Sequence, residues 1–259
     1  MQTYEISGDR VYDEVTKILA TGSRGVNLLD EVGFISSLFP EVKDLQGIFH
    51  GPYHEEGCPY THTNLVLDYY VNQGGNNPLV LWALLLHDIG KGTFKCGTGK
   101  FHGHEDISAE MSAVILEKMI GKNLSRKEAE VIIWLVENHM RAGCVLEMRS
   151  GKRGVFFANE NFPLLLDVLE ADSMGRLPQC HVWQEVREAY QTFSSTFKAP
   201  SGPSLRLLGV NGHTLQKELG EAPGPHMGVL LGLATEYLYE NPSADYNNVI
   251  NYLKEVQNA

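Results

Sequence analysis

The segment PLVLWALLL at residues 78–86 contains no polar side chain and is followed at once by HDIGK at residues 87–91. Pro78 is a favoured first residue of a helix, and a helix that is apolar on every side must be buried among other elements. The run is far too short to cross a bilayer. We therefore predict a central, buried helix over 78–87, which ends on an imidazole and a carboxylate side by side.

Apolar residues recur at helical spacing along most of the chain. Residues 9–20 open on Asp9 and place Val11, Val15 and Leu19 on one face. Further helices are predicted over 62–72, 105–120, the apolar run after the capping box SRKE (125–128), 163–173, 182–197, 226–239 and 242–256. Strand alternation is not found, and GVFFAN (154–159) is too short to predict a strand. The pattern predicts an all-α protein.

The composition is that of a folded, acidic chain, with 43% hydrophobic residues and a formal net charge of −11. An acidic surface repels phosphate backbones at long range, so we expect no DNA partner and no generic nucleic-acid binding. The four cysteines (Cys58, Cys96, Cys144 and Cys180) are scattered, and the first ten residues lack the pattern of a secretory signal. We expect a cytoplasmic protein with reduced thiols and no membrane segment.

Histidines and aspartates fall at the ends of the predicted segments. They are His62, the pair His87–Asp88, His104, His139 and Asp172. Helices packed around one core can bring such ends to one pocket, where imidazole and carboxylate would bind a divalent metal. Any one of these residues alone would be interpreted as a helix-end side chain or a solvated carboxylate. The ordered set predicts a metal site, with Mn, Fe, Ni, Co, Zn or Mg as candidates.

Three residues of HDIGK suggest chemistry beyond metal binding. Asp88 has two carboxylate oxygens and is the natural bridge if two metals bind. Lys91 follows within one turn and is predicted to contact a phosphate oxygen. Gly90 has no side chain, which suits a position where the backbone turns or a ligand approaches. A divalent metal at this place would lower the pKa of bound water toward neutrality and provide a hydroxide nucleophile.

The order His62, His87–Asp88 and Asp172 resembles that of the HD superfamily of metal-dependent phosphohydrolases. Longer motifs resemble the HD region and C-terminal part of bacterial CCA-adding tRNA nucleotidyltransferases and related poly(A) polymerases. They are LFPEVKDLQG (38–47), HEEGCPYTHTNLVLD (54–68), LLLHDIGKGT (84–93), FHGHEDIS (101–108), LVENHM (135–140), EADSMGR (170–176) and APGPHMGVLLGLATEYLYEN (222–241). SGDRVYDEVTKIL (7–19) is similar to the helix that follows the polymerase head of that family. The head's glycine-led strand and paired aspartates have no counterpart in this sequence, so we expect a stand-alone HD module and no CCA addition.

The resemblance implies an all-α, HD-domain helical bundle with a C-terminal helical appendage. We expect an N-terminal helical segment at 1–45 that packs on the body, an HD phosphohydrolase domain at 46–199, and the appendage at 200–259. The stretch KAPSGPS (198–204), rich in Pro, Gly and Ser, is the predicted linker.

The resemblance also implies roles for individual residues. The implied ligands of a first metal are His62, His87, Asp88 and Asp172. The implied ligands of a second metal are His104 and His139, with Asp88 bridging, and His54 and His102 are reserve ligands. Candidate phosphate contacts are Lys91, Arg141 and Arg176. For Arg176, a surface salt bridge is an equal alternative.

We predict a metal-dependent phosphohydrolase that acts on a nucleotide or RNA-end phosphate. The resemblance implies 2′,3′-cyclic phosphodiesterase, 2′-nucleotidase or phosphatase activity, with Asp88 and Lys91 as catalytic residues and one or two divalent ions as cofactors. The nearest alternative is a nucleoside-triphosphate or cyclic (oligo)nucleotide hydrolase that uses the same ligands. Two alternatives are not enzymes: a module that binds tRNA, other RNA or a protein, and a domain that a structural metal merely stabilises.

Overall fold

A computed structural model describes residues 7–52, 54–94, 99–197, 204–220 and 222–258. Across these residues the chain forms helices joined by loops, with no β-strand, so the predicted all-α class is confirmed. The helices are α1 (Gly8–Leu19), α2 (Ser23–Glu31), α3 (Phe34–Leu38), α4 (Pro40–Lys43), α5 (Pro59–Asn72), α6 (Pro78–Leu86), α7 (His104–Glu117), α8 (Arg126–Gly143), α9 (Ser150–Phe157), α10 (Phe162–Gly175), α11 (Val182–Phe197), α12 (Gly212–Leu219), α13 (His226–Glu240) and α14 (Tyr246–Gln257). Short 3-10 turns at Ile89–Thr93 and Val145–Glu147 follow α6 and α8. None of the helices in these ranges is long and apolar enough to span a bilayer.

Every predicted helical segment lies on a helix of the structure. The box SRKE precedes α8 as expected, since the Ser125 backbone amide and hydroxyl donate to Glu128 Oε2 over 2.8 and 2.7 Å. The last helix begins later than predicted, because Asp245 and Asn248 form a capping box that starts α14 at Tyr246. The segment 154–159 contributes to α9, a helix that the sequence did not predict.

Contacts divide the chain into two compact units. The first unit comprises Met1–Gly143 and Pro163–Val186, and the second comprises Cys144–Phe162 and Arg187–Ala259. The domain boundaries predicted from the sequence, after residues 45 and 199, stay predictions. Most of the predicted linker, at 198–203, lies outside the described residues.

Helix α6 forms the centre of the first unit. Its residues 80–86 are each at most 1% exposed, and the helix packs against α1, α5 and α8. The Trp82 indole stacks on Tyr12 with ring centroids 5.2 Å apart and meets Phe39 edge-on at 5.8 Å. Its Nε1 atom donates to Thr16 Oγ1 over 2.8 Å. The apolar run therefore forms the buried central helix that its composition predicts.

The buried environment continues beyond the end of α6. Residues 87–91, which include an imidazole, a carboxylate and an ammonium group, are all buried. The helix thus ends inside the first unit and not at its surface. Because buried polar groups need partners, these side chains must be satisfied by one another or by a bound ion.

The second unit has an apolar core of its own. Helices α12, α13 and α14 pack together and bury Leu215, Leu230, Ala234, Val249 and Leu253. Helix α9 lies directly against α13, since a Cβ added to Gly154 would stand 2.6 Å from the Tyr239 side chain. The predicted metal ligands all lie in the first unit.

Candidate metal centre

Five helical elements bring the predicted ligands to one place in the first unit. The ligands are His62 in the first turn of α5, His87 and Asp88 after α6, His104 at the start of α7, His139 in α8, and Asp172 in the last turn of α10. The five residues other than Asp172 are at most 4% exposed. The Asp172 side chain is 24% exposed, so the group of ligands opens to solvent on its side.

Three of the histidines are held by the same local hydrogen bond. The Nδ1 atoms of His87, His104 and His139 lie 2.8, 2.8 and 2.6 Å from the backbone carbonyl oxygen three residues earlier. A carbonyl oxygen only accepts, so a neutral ring carries its proton on Nδ1 and a lone pair on Nε2. Proteins orient metal-binding histidines in this way, with the second nitrogen directed at the ion.

One group of potential ligands consists of His62, His87 and Asp172, whose ligand atoms lie within 4.8 Å of one another. His62 Nε2 is 2.8 Å from Asp172 Oδ1, and His87 Nε2 is 3.9 Å from the same oxygen. His87 Nε2 is buried and has no hydrogen-bond partner among the described residues. Asp88 Oδ2 borders this group at 3.4 Å from His87 Nε2.

A second group consists of Asp88, His104 and His139. Asp88 Oδ1 is 3.1 Å from His104 Nε2 and 3.9 Å from His139 Nε2, and the two nitrogens are 3.2 Å apart. With both rings neutral and protonated on Nδ1, these three atoms present lone pairs to one another, an arrangement that a cation would stabilise. Asp88 therefore directs one oxygen toward each group, which is the position predicted for a bridging ligand.

The charge states of the side chains also suit a metal. Burial raises the pKa of Asp88, but the neighbouring His87, Lys91 and His104 together outweigh burial and hold the pKa well below its usual range. Burial also raises the pKa of Asp172, but the hydrogen bond with His62 and the nearby rings of His87 and His139 together hold the pKa below the usual range. Burial lowers the pKa of His139 to about 3. Ionised carboxylates and neutral imidazoles are the forms that bind metal ions.

His62 differs from the other histidines because it lies between two carboxylates. Its Nε2 atom is 2.8 Å from Asp172 Oδ1, and its Nδ1 atom is 3.2 Å from Glu56 Oε1. Burial lowers the pKa of His62, but the contacts with Asp172 and Glu56 outweigh burial and raise the pKa to about 9. Below pH 9 the metal-free protein therefore holds a proton on His62 that a metal ion must displace.

Metal binding to the metal-free protein is accordingly expected to release a proton. Because protonated His62 cannot bind an ion, the apparent affinity should rise by about tenfold per pH unit below pH 9 and level off above it. Isothermal titration in two buffers with different heats of protonation measures the proton released. An affinity and a binding heat that do not depend on pH or buffer would contradict this expectation.

Lys91 is buried beside the two groups, with an exposed fraction of 7%. Its Nζ atom donates to Asp88 Oδ2 over 2.7 Å and to His50 Nε2 over 2.8 Å, and lies 5.7 Å from the centroid of the Phe101 ring. In this arrangement the ammonium group neutralises and orients Asp88. Its contact with a substrate phosphate stays a prediction.

The two predicted arginine contacts differ in their position relative to the ligands. Arg176 follows Asp172 by four residues and lies one residue beyond the end of α10. Arg141 is exposed and follows His139 by only two residues on α8, which directs it to the other side of the helix. Contact of either arginine with a substrate phosphate stays a prediction.

A third group of potential ligands, formed by His50, His54 and Glu56, lies next to His62. The sequence suggested His54 as a reserve ligand but did not single out His50 or Glu56. The available signal was the density of histidines in FHGPYHEEGCPYTH (49–62). The other reserve ligand, His102, is exposed and joins no such group in the described part of the chain.

Two glycines allow the elements that carry ligands to approach closely. A Cβ added to Gly90 would stand 2.4 Å from the backbone oxygen of His104, and Gly90 N donates to Ser108 Oγ over 2.9 Å. A Cβ added to Gly175 would stand 2.6 Å from the Cα atom of Val66. The turn after α6 therefore rests on the backbone of α7, and α10 rests on the backbone of α5.

Replacing Gly175 by alanine is expected to separate His62 from Asp172. The added methyl group would push α5 and α10 apart within one turn of the two ligands, so we expect a loss of about 1–3 kcal/mol in stability. Metal affinity should fall by about tenfold or more, as for other changes that displace a ligand. Gly228→Ala in α13 is the matched control, since its added Cβ has no atom within 4 Å. Equal metal affinity in Gly175→Ala and wild type would contradict this expectation.

Comparisons with known proteins agree with this architecture. The family model for the HD domain matches residues 60–153, and the model described as the probable RNA and SrmB-binding site of polymerase A matches residues 3–46. The A-adding tRNA nucleotidyltransferase of Deinococcus radiodurans is 28% identical over 252 residues, which cover 88% of this chain and 54% of that protein. The multifunctional CCA protein of Burkholderia vietnamiensis is 32% identical over 180 residues (65% of this chain, 43% of that protein), and that of Leptothrix cholodnii is 30% identical over 226 residues (83% and 54%).

Residues 60–153, which match the HD-domain model, include His62, His87, Asp88, His104 and His139, so five of the six predicted ligands lie in the segment that resembles an HD domain. The chain's matched relatives include an A-adding tRNA nucleotidyltransferase and multifunctional CCA proteins, in agreement with the resemblance. The chain spans about half the length of the curated relatives that it matches.

Proposed function

We propose that this protein is a metal-dependent phosphohydrolase that cleaves phosphoester bonds of nucleotides or RNA ends, of the 2′,3′-cyclic phosphodiesterase, 2′-nucleotidase or phosphatase type. The observation that carries the proposal is the position of Asp88, whose two oxygens border two adjacent groups of lone-pair donors. The proposed ligands of a first ion are His62, His87, Asp88 and Asp172. The proposed ligands of a second ion are His104, His139 and Asp88.

Divalent ions, when bound, supply Lewis-acid chemistry for phosphoryl oxygens and lower the pKa of water. The mixture of imidazole and carboxylate suits Mn, Fe, Co, Ni or Zn better than Mg, which prefers oxygen ligands alone. Lys91 holds Asp88 in place through its 2.7 Å hydrogen bond. Asp172 and His54, with side chains 24% and 22% exposed, would form the margin at which a phosphate enters. Arg176, which follows Asp172 by four residues, is the proposed cation for that phosphate.

Two comparisons support a nucleotide or RNA-end substrate. The relatives are named for tRNA nucleotidyl transfer or as CCA proteins, and residues 3–46 match a model described as a probable RNA-binding site. The net charge of −11 opposes long-range attraction of RNA, so recognition would depend on the ions and on local cations. Cys58, Cys144 and Cys180 are free thiols, and we include a cytoplasmic location in the proposal on that ground.

The test is a hydrolysis panel with Mn²⁺, Ni²⁺, Co²⁺ or Mg²⁺. The substrates are 2′,3′-cyclic AMP, 2′-AMP, p-nitrophenyl phosphate and bis-p-nitrophenyl phosphate, together with ATP and cyclic dinucleotides. We expect metal-dependent turnover of at least one of the first four. Turnover of ATP or cyclic dinucleotides alone would favour the alternative hydrolase. The match at residues 3–46 favours a second candidate, a non-catalytic RNA-binding module, which salt-dependent RNA binding without any turnover would support.

A further inference from the structure

The carboxylate of Glu56 is not among the proposed metal ligands, yet three imidazole rings meet at it. Its Oε1 atom lies 2.6 Å from Nδ1 of His54, 3.2 Å from Nδ1 of His62 and 3.6 Å from Nδ1 of His50. The side chain is fully buried. The other oxygen, Oε2, accepts a hydrogen bond from the backbone amide of Leu177 over 2.9 Å.

We propose that Glu56 is a positioning residue for the first metal ion: it fixes the proton of His62 on Nδ1 and so leaves Nε2 free to bind the ion. A carboxylate only accepts, and the two nitrogens of His62 face Glu56 and Asp172. Once Nε2 binds an ion, the remaining proton of the ring lies on Nδ1, where it faces Glu56. The other three ligand histidines use a backbone carbonyl three residues earlier for this purpose. For His62 the carbonyl three residues earlier belongs to Pro59, and it accepts a hydrogen bond from Thr63 Oγ1 instead. The inference rests on the proposed function, because it requires an ion at His62.

Glu56 also links the two elements that carry the first ligand group. The Leu177 amide donates to Glu56, and the Glu55 amide donates to the Leu177 carbonyl over 2.8 Å. Leu177 lies just beyond the end of α10, which carries Asp172, and Glu56 lies in the loop before α5, which carries His62. The Glu56 carboxylate therefore orients the ring of His62 and also helps to fix the distance between His62 and Asp172.

The group of His50, His54 and Glu56 is better explained as this support than as a third metal site. The rings of His50 and His54 stack at 3.6 Å between centroids with 21° between their planes. Both rings direct Nδ1 at the same oxygen of Glu56, which already occupies the point that an ion would take. His50 Nε2 instead accepts from Lys91, which also donates to Asp88, so the cluster supports the shared ligand as well.

The test compares zinc binding by wild type, Glu56→Gln and Glu55→Gln in isothermal titrations. Glutamine keeps the size of the side chain and an oxygen for the Leu177 amide, but it then directs amide hydrogens at Nδ1 of His62. A donor facing Nδ1 favours the tautomer that carries its proton on Nε2, which cannot bind the ion. We expect affinity for one of the two zinc ions to fall by about 10- to 100-fold, with the other unchanged. Glu55→Gln, at an exposed neighbouring carboxylate, should bind zinc as wild type does.

A second readout does not depend on how well a variant folds. In ¹⁵N-histidine NMR spectra of the zinc-loaded wild type, we expect His62 to be protonated on Nδ1 and to bind zinc through Nε2. The opposite tautomer would overturn the inference. Wild-type zinc affinity at both sites in Glu56→Gln would also overturn it, as would loss of a third zinc ion with the other two retained.

Asp172→Asn separates failure of the inference from failure of the proposed function. If wild type binds zinc and Asp172→Asn loses an ion while Glu56→Gln does not, only the role of Glu56 is wrong. If the wild type binds no zinc and none of the other metals, the proposed function fails together with the inference.

Discussion

Replacing Asp88 by asparagine is expected to reduce metal-dependent hydrolysis by about 10³-fold or more, the upper end of the cost of removing one electrostatic group from an active site. Asp88 is 1% exposed, and its two oxygens border both ligand groups. Asparagine has one oxygen and no charge, so it cannot serve as the shared ligand of two ions. We therefore expect the content of both metal ions, measured by elemental analysis, to fall together with activity.

The matched control for this substitution is Asp106→Asn. Asp106 is an exposed carboxylate in the first turn of α7, two residues after His104, and it belongs to neither ligand group. The Asp106→Asn variant should retain the activity and metal content of the wild type. Unchanged metal content and activity in Asp88→Asn would contradict the assignment of Asp88 as the shared ligand.

Replacing Trp82 by alanine is expected to lower the free energy of unfolding of the first unit by about 3–5 kcal/mol, the usual cost of truncating a large buried aromatic residue. Trp82 is fully buried, packs on Tyr12 and Phe39, and donates to Thr16. Alanine leaves a cavity beside α6 and removes the hydrogen bond to Thr16, whose hydroxyl still donates to the Tyr12 carbonyl over 2.6 Å. Urea denaturation of the metal-free protein, followed by far-UV circular dichroism, measures the change.

Two further variants show whether the effect depends on burial. Trp82→Phe keeps most of the ring packing and loses the hydrogen bond to Thr16, so we expect a smaller loss of about 1–2 kcal/mol. Val114→Ala alters an apolar residue of α7 that is 60% exposed and should change stability by no more than about 0.5 kcal/mol. If Trp82→Ala unfolded at the same urea concentration as Val114→Ala, α6 would not be the centre of the core.

The helical class and the longer helices could be predicted because they depend on short-range patterns. The run at 78–86 is apolar on every side, and apolar side chains recur at helical spacing within 182–197. Helix α9 was missed because Gly151 and Gly154 lower its intrinsic helix propensity. In the structure those same glycines let α9 contact the backbone and side chains of α13, and tertiary packing of this kind is invisible in a local pattern.

The prediction of the six ligands depended on their order along the chain and on the surrounding motifs. The structure brings all six residues together, although their role as ligands stays a proposal. Glu56 and His50 could not be found in the same way, because they lie in a loop without periodicity. Glu56 reaches His62 through a fold that pairs the loop with Leu177, a residue distant in sequence. The sequence also placed Lys91 near Asp88 without showing that His50 would be its second partner.

The most direct measurement is anomalous diffraction from crystals grown with Mn²⁺, with data collected at the manganese absorption edge. Two anomalous peaks per chain are expected, one beside His62, His87 and Asp172 and the other beside His104 and His139, with Asp88 in contact with both. The absence of any peak at these residues, or a single ion bound without Asp88, would contradict the proposed centre.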